Sequence, residues 1–181
     1  MNTNRKILTG GFLLLISGLI TAITSFTPSV ILQYIFSGTA LVAGILGVMI
    51  GRETSENFVQ STYYKWTGVV LIMLSIALGI WATSIMGFIY VMGFFLLVLG
   101  VAEFVFALQI LNYETPIPWE LLGLKLTMAA ATAVGAAWIM TVAATYIHSA
   151  IFFLGLLVIL VGLGFIRISW LSKQTRVSSV Q

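Results

Sequence analysis

Six uninterrupted apolar stretches, each close to a bilayer's width of helix, constrain this chain more than any other feature. They cover roughly residues 7–24, 30–50, 66–83, 86–110, 121–142 and 149–168. A hydrocarbon core about 30 Å thick takes about 20 helical residues at 1.5 Å rise each. Within lipid only helices and closed barrels satisfy every backbone polar group. These runs are continuously apolar rather than alternating, so they read as helices and not as barrel strands. The expected fold is all-α: a polytopic membrane protein of six transmembrane helices, arranged as three repeated antiparallel hairpins.

Composition narrows the chemistry. The 181 residues are 60% hydrophobic and 7% charged, against about 25% charged in soluble domains. That leaves too little polar surface for a soluble enzyme, and it excludes a disordered chain or a disulfide-stapled module. With no Cys there is no thiol nucleophile, iron–sulfur cluster or thiolate zinc site. One His and no Asp cannot make a Ser-His-Asp triad. No P-loop, dinucleotide glycine motif or H-E-x-x-H occurs. The expectation is a protein that is not an enzyme and carries no cofactor or metal.

The charges set an orientation. The connections at 25–29, 84–85 and 143–148 carry no formal charge, and they are short enough to make tight turns. All eight basic residues fall on the other side: Arg5, Lys6, Arg52, Lys65, Lys125, Arg167, Lys173 and Arg176. The positive-inside rule then puts both termini in the cytoplasm and three turns outside. Trp66, Trp119 and Trp170 fall near the same inner boundary, where interfacial aromatics collect. Arg5–Lys6 followed by an apolar run could also be read as a signal peptide. The run exceeds the usual h-region of about 7–15 residues and lacks a clear A-x-A site, which favours a first span. The dispersed basic residues give no case for nucleic acid.

A spacing recurs along the chain. Small residues seven apart lie on one helix face. The first helix of each hairpin gives Gly11 and Gly18, Gly68 and Ser75, Ala130 and Ala137; the second gives Ser37 and Gly44, Gly93 and Gly100, Gly155 and Gly162. In lipid, helices associate by close packing, and small residues let backbones approach. The pattern predicts packing seams, with a glycine-lined path as the functional alternative. It divides a single domain, 1–168, into hairpins of about 6–52, 65–111 and 120–168, followed by a mobile cytoplasmic tail, 169–181. The fifth span, rich in Ala, Gly and Thr, has little to offer lipid and is expected among other helices. Parallel repeats of this kind give no support for an inverted-repeat transporter.

The run Thr9-Gly10-Gly11-Phe12-Leu13-Leu14-Leu15-Ile16-Ser17-Gly18-Leu19, then Phe26-Thr27-Pro28, then a helix with Gly38, Gly44 and Gly47, resembles the repeat of HdeD-type proteins. This is a family of small six-span bacterial membrane proteins named for acid resistance. The likeness covers about residues 6–167. It departs at the turns, since only the first hairpin has the turn proline, Pro28. The resemblance implies a role in acid or envelope stress in a prokaryotic plasma membrane, with no catalytic residues to carry over.

Few residues could carry chemistry. Glu103 lies inside the fourth span, and Lys125 enters the fifth from the same side at similar depth. An ionisable group at that depth is costly and is first read as functional, with a named partner. The pair could be a proton or ion site or a tie between helices, or Glu103 could be protonated. His148, in an outer turn beside Tyr146, suits a pH-sensitive position or is an ordinary loop residue. Glu53, Glu56, Glu114 and Glu120 read as solvated inner loops. Two functions follow: a non-enzymatic HdeD-like stress protein, or a small transporter or channel for protons, weak acids or another small solute. The expected partner is the lipid bilayer, with homo-oligomerisation and the identity of any small-molecule substrate left open.

Overall fold

The computed structural model describes residues 3–27, 31–53, 58–111 and 119–178. Six α-helices follow in order, with no strand among the described residues: α1 (Thr3–Thr24), α2 (Ile31–Glu53), α3 (Phe58–Trp81), α4 (Ile85–Leu111), α5 (Trp119–Val142) and α6 (Ile147–Ser178). Each contains a stretch long and apolar enough to cross a membrane, with mean hydropathy from 1.4 to 2.5. Pro28, Glu56, Glu114, Pro116 and Pro118 lie outside the described residues.

Several helices outrun their apolar cores. α3 begins at Phe58, eight positions before the expected span, so much of the presumed loop at 51–65 is helical. α6 runs to Ser178, through most of the segment read as a tail. Apolar length predicts the membrane crossing but not the polar turns that extend a helix beyond it. Between α3 and α4 the turn is short because Ser84 caps the new helix: its Oγ accepts from Gly87 N at 3.0 Å. α5 closes through Thr145 N and Tyr146 N, which both donate to Val142 O at 3.0 and 2.9 Å.

The helices form a closed ring in which each packs on its chain neighbours and α6 returns to α1. The most extensive contacts join α1 to α6, α2 to α3, and α4 to α5. Small residues explain why. A Cβ built on Gly18 would lie 2.8 Å from Gly155 O, and one on Gly162 would lie 2.8 Å from Gly11 O. A Cβ on Gly44 would lie 2.8 Å from Gly68 O, while Ser37 Oγ donates to Ser75 O at 3.0 Å. A Cβ on Gly100 would lie 2.7 Å from Ala133 N, and one on Gly93 would lie 2.7 Å from Met140 Cγ. Each seam thus pairs two positions seven apart with two positions seven apart on an antiparallel neighbour.

The third seam corrects the alanine assignment. Ala130 is exposed and Ala137 only partly covered; the residues that meet α4 are Ala133 and Met140. The observed pair sits three residues along from the expected one, a rotation of about 60°, and a stretch with Ala at 129–131, 133, 136 and 137 does not fix that register by composition. The placement of α5 is corrected too. It is the least buried span, at 28% of its window, and its two neighbours α4 and α6 also touch each other directly.

The core divides along the axis. Towards the turns, Leu78, Ile89, Ile139, Ile151 and Leu154 have no exposure, and Phe36 packs on Phe88 with ring centroids 5.7 Å apart. At the end carrying the chain termini, a smaller cluster forms from Ile7, Ile50, Tyr63, Tyr64 and Phe106. Three buried hydroxyls in the spans fold back on their own helix: Ser17 Oγ donates to Leu13 O, Thr21 Oγ1 to Ser17 O and Thr132 Oγ1 to Met128 O, at 2.6, 2.9 and 2.8 Å. Without water these are the acceptors at hand.

Candidate functional site: an intramembrane carboxylate on the bundle axis

Three helices deliver polar groups to one depth. Tyr63, Glu103 and Lys125 each lie within about two turns of the terminal end of α3, α4 and α5 respectively. Tyr63 Oη donates to Glu103 Oε1. Lys125 Nζ lies 3.8 Å from Glu103 Oε2, and 4.2 Å from the centre of the Tyr63 ring. The first is an ion pair beyond hydrogen-bond reach; the second is a cation–π contact. The Tyr63 ring is itself fixed edge-on by Tyr64 and Phe106, at 5.2 and 5.1 Å.

The structure therefore brings together the two residues that depth alone had linked, and adds one that was missed. Tyr63 was hidden because its segment read as loop. The available signal was its spacing: Tyr63, Thr67, Leu71 and Leu74 follow helical steps, and all four face the bundle axis.

Above this cluster lies a cavity of about 60 Å³, walled by residues of all six helices, among them Leu14, Phe36, Leu74, Leu96, Thr132 and Val158. Its walls are almost wholly apolar, and Glu103, Lys125 and Tyr63 form its polar end. Of the fifth-span hydroxyls, Thr132 reaches the cavity but gives its proton to Met128 O, while Thr127 is exposed. A largely apolar core continues from the cavity to the turns.

His148 sits elsewhere, at the start of α6. Its Nδ1 is 2.7 Å from Ser25 O, which ties the turn after α5 to the turn after α1. An N–H at Nδ1 is the tautomer that a carbonyl acceptor selects. At the opposite end Lys6, buried, forms an ion pair with Glu53 and so joins α1 to α2. Gln33 Oε1, near the turn end of α2, is buried with no hydrogen-bond partner among the described residues.

The cluster can hold a negative charge, accept a proton on Glu103, and offer N–H and O–H donors to a small guest. No three His, Cys, Asp or Glu side chains converge among the described residues in a way that could hold a metal. In comparisons with known proteins, no family model, curated protein or solved structure matches the chain.

Proposed function

We propose that the chain is a non-enzymatic integral membrane protein of a prokaryotic plasma membrane, with both termini cytoplasmic, that supports resistance to acid or envelope stress. The resemblance to HdeD-type proteins supplies that role. The observation that carries it is the engagement of Glu103 by Tyr63 and Lys125 across three helices, beside a largely apolar turn-end core. A carboxylate held in this way ties a scaffold together more readily than it relays protons. Orientation rests on Lys6, Arg52, Lys65 and Lys125 lying towards the terminal end of their helices.

A second reading, a small transporter or channel for protons, weak acids or another solute, is favoured by one feature: the cavity on the axis touches every helix and has Glu103 on its wall. Acid challenge tests the first reading. A bacterial host expressing the protein should outlive the same host with empty vector at low pH. Equal survival, with the protein shown to be folded in the membrane, would remove it.

A further inference from the structure

The cavity offers two halves of a binding site and lacks the piece between them. Lys125 has only 10% of its side chain exposed, and it lines the cavity. Among the described residues its ammonium meets no acceptor nearer than Glu103 Oε2 at 3.8 Å. An ammonium carries three donors, and leaving them unmet away from water is costly. Tyr63 gives it a ring face and spends its hydroxyl on Glu103. Within about one helical turn of this cation the lining is apolar, at Leu99, Met128 and Val161. The space, about 60 Å³, holds roughly four or five non-hydrogen atoms at about 10–15 Å³ per water-sized probe.

We propose that this cavity binds short-chain monocarboxylic acids of two or three carbons, carboxylate on Lys125 and alkyl end among Leu99, Met128 and Val161. A second anion beside Glu103 would be repelled, so the charges must balance. The acid arrives uncharged, in the form that crosses lipid. Its proton moves to Glu103 Oε2 and its anion pairs with Lys125. The site gains no net charge, and Tyr63 keeps its bond to Glu103 Oε1. The ionisable groups around it are Tyr63 and Tyr64 from α3, Glu103 from α4 and Lys125 from α5; α1 and α2 bring Lys6 and Glu53, already paired with each other. From α6 come Val158, Val161 and Gly164, which do not ionise. One proton is therefore taken up per anion bound, and binding tightens as pH falls. Such binding is independent of the stress role.

The test uses the full chain in lipid nanodiscs, with empty nanodiscs as blank. Saturation-transfer NMR reads propionate binding, and calorimetry in two buffers of different ionisation enthalpy counts protons. Propionate should bind with uptake of one proton, more tightly than propylamine, propanol or decanoate. Lys125→Met should weaken it about tenfold or more, the loss of a charge-assisted hydrogen bond. Glu103→Gln should still bind propionate but without proton uptake, and this variant decides the matter if Lys125→Met fails to fold. No propionate binding to folded wild type, unaltered binding in Lys125→Met, or unaltered proton uptake in Glu103→Gln would overturn the proposal. So would propylamine or decanoate binding as tightly as propionate.

Discussion

Gly44 and Gly68 pack backbone against backbone. A Cβ on Gly44 would lie 2.8 Å from Gly68 O, and one on Gly68 would lie 2.7 Å from Gly44 O. Neither carbonyl can move without bending its helix. The same reciprocal exclusion holds between Gly18 and Gly155, so in two of the three seams main chain meets main chain directly.

Alanine at these positions should therefore cost about 1–3 kcal/mol, the usual penalty for overpacking. Gly44→Ala and Gly18→Ala test it by thermal unfolding in detergent. Gly93→Ala should cost less, since its new methyl meets the flexible Met140 side chain. Gly10→Ala meets nothing within 4 Å and should be neutral or gain up to about 1 kcal/mol. Equal losses at all four would refute the seam assignment.

Glu103 and Lys125 should be coupled energetically. A double-mutant cycle of Glu103→Gln with Lys125→Met, read by stability in the same detergent, should give a coupling of about 0.5–3 kcal/mol. The double variant should be less damaged than the sum of the two singles. Strict additivity would mean that the pair does not interact.

The bond from His148 to Ser25 O predicts a local effect. His148→Ala should lower stability by about 0.5–1.5 kcal/mol, the net worth of one hydrogen bond. His148→Gln, which keeps a donor, should recover part of it. If Gln does no better than Ala, the ring contributes by packing instead.

Topology is directly accessible, because the chain has no Cys to obscure an introduced one. Tyr146, exposed after α5, and Lys65, exposed near the start of α3, lie at opposite ends of the bundle. In intact cells an impermeant thiol reagent should label Tyr146→Cys and spare Lys65→Cys. The reverse pattern would invert the proposed orientation.

Much of the fold was legible because apolar length alone dictates six helices. The close approach of backbones was legible at Gly11, Gly18, Gly44 and Gly68, where glycine marks the spot. It failed at Ala130 and Ala137, since a run of like residues carries no register. Glu103 stood out as a charge where charge is expensive, and Lys125 followed by depth. Tyr63 did not, because it falls in a segment that reads as an inner loop until the helix is seen to begin at Phe58. The cavity was invisible, since a void depends on how six helices meet rather than on any one of them.

In the proposed role Glu103 ties α3, α4 and α5 together rather than conducting protons. A pH jump across proteoliposomes of confirmed protein content, wild type beside Glu103→Gln, tests this most directly. Both vesicles should equilibrate at the rate of protein-free liposomes. Faster equilibration with wild type, abolished in Glu103→Gln, would contradict it and make the cavity a conduit.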